Sequence, residues 1–153
     1  MTTSDVRGIN HVSFTVSDLG AIVRFFTAFL GFEVMNQGPR DSAAISRVTG
    51  VAGAEITVAF VRGHGYVIEF IRYDSHAHLP VAILNPCDVG FSHVGFNVAN
   101  IEDLIARATA YGFAAINPPT LISQGPNAGM KVCYLRNGEG FTIEFLQAPA
   151  GRG

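Results

Sequence analysis

The chain repeats itself, and no other property of the sequence narrows its possible folds as far. Residues 9–16 read INHVSFTV and residues 91–98 read FSHVGFNV; with His93 standing 82 positions beyond His11, the apolar Val12, Phe14 and Val16 fall on Val94, Phe96 and Val98. Leu19, Ile22 and Val23 then fall on Ile101, Leu104 and Ile105, and after one skipped residue Gly31-Phe32 falls on Gly112-Phe113. Further on, YVIEF at 66–70 is echoed by FTIEF at 141–145, which sets Glu144 75 positions beyond Glu69. Self-similarity on this scale predicts two copies of one supersecondary unit. Each copy carries one His and one Glu in apolar, strand-like surroundings.

Within the first copy, Val12, Phe14 and Val16 alternate with His11, Ser13 and Thr15, the pattern of a half-buried strand over 9–16. Ser17-Asp18 offers a helix N-cap. Leu19, Ile22, Val23, Phe26, Phe29 and Leu30 recur at helical spacing, and Gly31 follows where a helix stops. Residues 32–35 read as a second strand, and 36–53 (NQGPRDSAAISRVTGVAG) as a long loop. Two further strands, 56–61 and 66–73, flank a turn at 62–65. Pro80 and Pro86 interrupt the linker. The second copy repeats the plan: a strand at 91–98, then a helix capped by Asn100 with Asp103 as its capping-box partner. A short strand at 113–116, a loop at 117–129 and a hairpin of 131–136 with 141–147 complete it. The expected fold class is α+β, with two tandem βαβββ modules at 8–74 and 91–148, a linker at 75–90 and a tail at 149–153.

Composition sets the wider bounds. Charged residues make up 14% of the 153 and hydrophobic ones 48%; soluble domains average about 25% charged, so a second subunit is expected to cover part of the apolar surface, as in a homodimer. A net charge of −2 argues against nucleic acid or an anionic membrane as partner. Cys87 and Cys133 lack a C-x-x-C spacing and read as reduced packing residues of a cytosolic protein. With no leader-like start and no apolar run of ~18 residues, the expected location is the cytoplasm.

The chemistry rests on His11, Glu69, His93 and Glu144. If Ile68 and Phe70, or Ile143 and Phe145, face the helix, alternation turns Glu69 and Glu144 the other way. Their neighbours on that side are apolar or uncharged, and a carboxylate so placed is costly unless paired, hydrogen-bonded or bound to metal. A lone strand His is usually a packing residue and a lone strand Glu an edge charge; recurrence at matching places in both copies is what favours a shared site. His64, His76 and His78 read as solvated loop residues. Two imidazoles and two carboxylates suit a borderline divalent ion with open positions for substrate. Either carboxylate could also accept a proton beside the ion.

These segments, together with FFTAFLGFEV, YGF and YLRNGEGFTIEFLQ, resemble the vicinal oxygen chelate superfamily, the glyoxalase and bleomycin-resistance fold. The resemblance covers residues 8–148 and implies that the two modules form a curved mixed-sheet half-barrel cleft. It implies His11, Glu69, His93 and Glu144 as ligands of one divalent ion (Ni, Co, Zn, Fe or Mn). The set looks like that of bacterial glyoxalase I and is close to methylmalonyl-CoA epimerase. Thr15 stands where bacterial glyoxalase I carries an arginine contacting glutathione, so the likeness does not extend to that cofactor. The implied activity is lyase or isomerase chemistry on a small oxygenated substrate through an enolate, with Glu69 and Glu144 catalytic. Glu144 is favoured as the permanent ligand and Glu69 as the one displaced. Alternatives are an iron-dependent extradiol ring-cleaving dioxygenase and a metal-free drug-binding module. The cleft face is expected to hold Ser13, Thr15, Val67, Ile71, Gly95, Asn97, Thr142 and Leu146, with Ser13, Thr15, Asn97 and Lys131 binding substrate. The loops 36–53 and 117–129 would act as lids, and Arg47, Lys131 or Arg136 would meet an anionic tail.

Overall fold

A computed structural model describes residues 5–77 and 80–149; His78 and the last four residues of the expected tail lie outside them. The chain separates into two compact units, residues 1–80 and 81–153. The fold is α+β, with one sheet in each unit.

In unit one, β1 (Val12–Thr15) lies parallel to β4 (Tyr66–Tyr73), and β4 continues through β3 (Ile56–Gly63) to β2 (Glu33–Pro39) in the order β1-β4-β3-β2. Parallel pairing of β1 with β4 requires a crossover, which α1 (Leu19–Arg24) begins. The Asp18 carboxylate caps α1 by accepting from the Ala21 amide at 2.9 Å. Leu19 and Ile22 of α1 are buried, as are Phe26 and Phe32 beyond it and Ile68 and Phe70 of β4. Phe26 packs edge-on to Phe32 and Phe70, with ring centroids 5.1 and 4.8 Å apart.

After Arg24 the helix widens into a π turn over Phe25–Phe29, where the Leu30 amide reaches back to the Phe25 carbonyl. The copy in unit two has one residue fewer at this place. There α3 (Ile101–Ala108) instead tightens into a 3₁₀ turn at Thr109–Tyr111 before Gly112. The residue skipped in aligning the two copies is thus taken up by the helix's last turn, a single π turn in one copy and a 3₁₀ turn in the other.

Three expectations are corrected. The first strands are shorter than 9–16 and 91–98: β1 begins at Val12 and β5 (Val94–Asn97) at Val94, so His11 and His93 stand one residue ahead of their strands. The segment 36–53 is not a loop. β2 runs on to Pro39, tolerated because β2 is an edge strand with a bulge at Met35. Then α2 (Ser42–Thr49) forms between an Asp41 cap, whose carboxylate accepts from the Ala44 amide, and Gly50 in the left-handed region. In unit two, the loop 117–129 contributes β7 (Thr120–Leu121), which pairs with β8 (Lys131–Arg136).

Unit two orders its strands β5-β9-β8-β6, where β6 is Ala114–Ala115 and β9 is Thr142–Gln147. Asn100 caps α3 by accepting from the Asp103 amide. Asp103 does not close the capping box; its carboxylate pairs with Arg107 at 3.0 Å. The Gln147 carboxamide oxygen takes the Ile101 amide, satisfying another free N–H at the start of α3. Ile101, Ala108, Phe113, Leu135, Ile143 and Phe145 form the core. Among the described residues no helix is long and apolar enough to cross a membrane.

Candidate metal and substrate site

Because Ile68 and Phe70 are buried on the α1 side, period-two alternation turns Glu69 to the opposite side of the sheet. There the His11 Nε2 lies 3.4 Å from Glu69 Oε2, with the two side chains 33% and 15% exposed. Ser13, opposite Glu69 in the parallel register, donates its hydroxyl to the same Oε2 at 2.8 Å. His11 meets the Phe60 ring edge-on at 5.3 Å, Phe60 being the antiparallel partner of Glu69. On its other side, His11 Nδ1 lies 2.7 Å from the Asn10 Oδ1. An amide oxygen only accepts, so Nδ1 carries the proton there, and the lone pair of a neutral ring sits on Nε2, facing a carboxylate. Two electron-rich atoms turned toward each other call for a cation between them, a proton or a metal ion. A ring N–H anchored on a carbonyl is also the usual support of a metal-ligating histidine.

Unit two builds the same pair. His93 Nε2 lies 3.3 Å from Glu144 Oε2, and Ile143 and Phe145 are buried on the other side of β9. The surroundings differ. Gly95 takes the place of Ser13 opposite Glu144, so no hydroxyl reaches this carboxylate from β5. Tyr134 takes the place of Phe60 as the partner of Glu144, its ring 4.8 Å from the His93 ring and its hydroxyl 3.5 Å from His93 Nε2. Burial, and then the charge of Glu144, push the Tyr134 phenol above its ordinary pKa.

Two ligand atoms each about 2.1 Å from one tetrahedral ion stand about 3.4 Å apart, so each His–Glu pair has the spacing of two adjacent ligands. Nitrogen and carboxylate oxygen are donors that suit a borderline divalent ion. What the structure gathers is one pair in each unit; among the described residues no group of three or more His, Cys, Asp or Glu side chains is brought together as a metal cage.

The remaining candidates sort by side. Thr15 and Asn97 lie exposed on β1 and β5, opposite Ile71 and Leu146. Lys131 shares the parity of Cys133 and Leu135, which are buried on the α3 side of β8, and its ammonium pairs with Glu102 of α3; it stands on the opposite side from Glu144. Thr142 is buried, donates to the Gly140 carbonyl and accepts from Arg136 Nε, which gives it a structural role in the hairpin. Arg136 lies over the Phe91 ring at 5.6 Å. Arg47 is on α2. Sequence reasoning passed over Phe60 and Tyr134. The signal was present: the strands before the two Glu-bearing ones also match, Phe60-Val61-Arg62 with Tyr134-Leu135-Arg136.

Comparison with known proteins places the chain in a family. The model of the Glyoxalase/Bleomycin resistance protein/Dioxygenase superfamily matches residues 8–145. The chain belongs to this superfamily. A curated relative, 2-epi-5-epi-valiolone epimerase from Actinomyces, is 30% identical over 151 residues, which span 94% of this chain and 80% of the relative. A glyoxalase family protein from Bacillus cereus shares the fold with a TM-score of 0.79 at 22% identity, over 96% of this chain and 97% of its own. A fosfomycin resistance protein from Listeria monocytogenes, solved with Mn(II) and dihydroxypropylphosphonic acid, gives a TM-score of 0.60 at 14% identity, over 95% and 93% of the two chains. For superfamily members of such low identity the likeness concerns the fold alone.

Proposed function

We propose that this glyoxalase-superfamily chain is a divalent-metal-dependent isomerase, an epimerase that inverts a carbon beside the carbonyl of a hydroxylated cyclic ketone. The observation that carries the reading is recurrence: the same His–Glu pair, at 3.4 and 3.3 Å, stands at matching places in both copies of the repeat. The epimerase relative supports the reaction class. His11 with Glu69, and His93 with Glu144, would each offer a nitrogen and a carboxylate oxygen to a divalent ion, which when bound would act as a Lewis acid toward a substrate oxygen.

The chain's own groups do the proton work. A carbon–hydrogen bond next to a carbonyl is acidified because its electron pair can move onto the carbonyl oxygen. A carboxylate takes that proton, and return of a proton to the opposite side of the carbon completes the inversion. Substrate and product differ only in configuration, so no oxidant or co-substrate is required. Ser13 donates its hydroxyl to Glu69, while Gly95, opposite Glu144 on β5, has none to offer.

The test is ion content and proton exchange on the full chain. Metal-stripped protein should take up a divalent ion, and His11→Ala and His93→Ala should each weaken the uptake. With a hydroxylated cyclic ketone in D2O, the loaded protein should exchange the hydrogen next to the carbonyl, and Glu144→Gln should reduce the exchange by at least ~100-fold. Exchange that survives both EDTA and Glu144→Gln would refute the reading.

A further inference from the structure

At the end of unit one's hairpin, an open hollow of about 410 Å3 runs onto the side of the sheet that carries Glu69. Val67 lines it and lies two residues before Glu69 on β4, about 7 Å along the strand and on the same side. Arg62 is the partner of Val67 across β3–β4, and Glu33 is the partner of Arg62 across β2–β3, so all three side chains leave the sheet on that side. Gly31, Gly63 and Gly65 also line it. Gly31 and Gly65, where a Cβ would meet nothing within 4 Å, leave the hollow open, whereas Gly63 is covered by the Phe32 ring, 2.7 Å from where its Cβ would stand.

The polar inventory of the hollow is balanced between donors and acceptors. Arg62 offers only donors and Glu33, when ionised, only acceptors; both are exposed, and they make no ion pair with each other. Tyr66, 69% exposed, also borders the hollow, but alternation turns it to the Ile68 side of β4, away from Glu69. His64, held at φ +52 in the turn, has its Nε2 2.8 Å from the Leu30 carbonyl. A carbonyl only accepts, so Nε2 carries the hydrogen, and the neutral ring keeps Nδ1 as a further acceptor. An anion would want donors alone and would meet the Glu33 carboxylate. A ligand whose every oxygen both donates and accepts matches this lining.

We infer that the hollow is a subsite for the neutral, hydroxyl-rich part of the substrate, with Arg62 and Glu33 as its specificity-determining residues. The inference rests on the proposed reading that the substrate is a hydroxylated ring, and extends it by saying where the ring's hydroxyls are recognised.

The experiment is an NMR titration of isotope-labelled full-length protein in EDTA, with myo-inositol as a neutral cyclic polyol and inorganic phosphate as the competing anion. Myo-inositol should produce saturable shifts confined to the amides of 31–33 and 62–67. Arg62→Gln and Glu33→Gln, both at exposed positions, should each weaken that binding roughly tenfold, the scale of one hydrogen bond to a charged group. Arg107→Gln, on α3, is the charge-loss control and should leave it unchanged. The inference is overturned if myo-inositol gives no saturable shifts there, if the two variants bind like the parent, or if phosphate binds these residues more tightly than myo-inositol. Because the titration is run without metal and reads only the hollow, its failure is distinguishable from failure of the ion-uptake and proton-exchange measurements.

Discussion

Replacing Ser13 by alanine asks whether the Glu69 carboxylate is a supported ligand. The hydroxyl donates at 2.8 Å to the very oxygen that lies 3.4 Å from His11 Nε2. A hydrogen bond to an ionised group contributes about 1.5–3 kcal/mol. Loss of a group that orients a metal ligand costs about 10–100-fold in affinity, or about 1.4–2.8 kcal/mol, so the two scales agree. Ser13 is exposed, where water can replace part of the lost bond, and the lower end is expected: roughly tenfold weaker uptake of Mn(II) or Co(II). The assay is competition against a chromogenic chelator with metal-stripped full-length protein. Ser13→Thr keeps the hydroxyl and should bind like the parent. Thermal unfolding in EDTA should show the alanine variant about 1 kcal/mol less stable, the part of that bond which water does not replace, and Ser13→Thr close to the parent. Unchanged metal affinity in Ser13→Ala, or an equal loss in Ser13→Thr, would refute the idea that this hydroxyl supports a ligand.

Other consequences concern the scaffold. Gly63→Ala drives a methyl to within 2.7 Å of the Phe32 ring, which is itself buried; the expected cost is about 1–3 kcal/mol, read as a lower urea midpoint. Asp41→Ala removes the cap of α2 and should cost that helix about 0.5–2 kcal/mol; since α2 has no buried residue, the loss should show as faster amide exchange over 42–49 with little change in global melting. Asp74 is held below the ordinary aspartate range first by the Thr57 hydroxyl and then by Arg72. A lowered pKa stabilises the fold above the unfolded value, about 3.9 for Asp, and that contribution disappears as the pH falls. Thr57→Val should therefore be less stable than the parent at pH 7, with the gap narrowing at pH 3, as urea titrations at the two values would show.

The parts of this fold legible in the sequence are those where side chains alternate or recur because one side is buried. Val12–Thr15, Tyr66–Tyr73 and Thr142–Gln147 form strands within the segments that alternation marked. The buried Ile68/Phe70 and Ile143/Phe145 leave Glu69 and Glu144 on the opposite side. The helix α2 was illegible for the complementary reason: it is short and buries no residue, its apolar Ala44, Ile45 and Val48 are too few to stand out, and Asp41 and Gly50 at its ends are its plainest markers. Hairpin register was the other gap. Phe60 and Tyr134 face the two carboxylates only because the turns at 63–66 and 137–141 set the pairing across each hairpin. Lys131, by contrast, was readable: it is two residues from Cys133 and four from Leu135, and strand parity alone puts it on the α3 side of β8.

The widened turn at Phe25–Phe29 has a consequence for how such a gene can change. In a regular helix an added residue swings everything after it by about 100°, carrying buried rings toward water. Here the surplus is taken up within one loosened coil, and Phe32 still enters the core. Single-codon gains and losses at this bend are therefore survivable, which makes it a natural length buffer, and a safe place to shorten or lengthen one copy of the repeat without rebuilding the sheet beneath it.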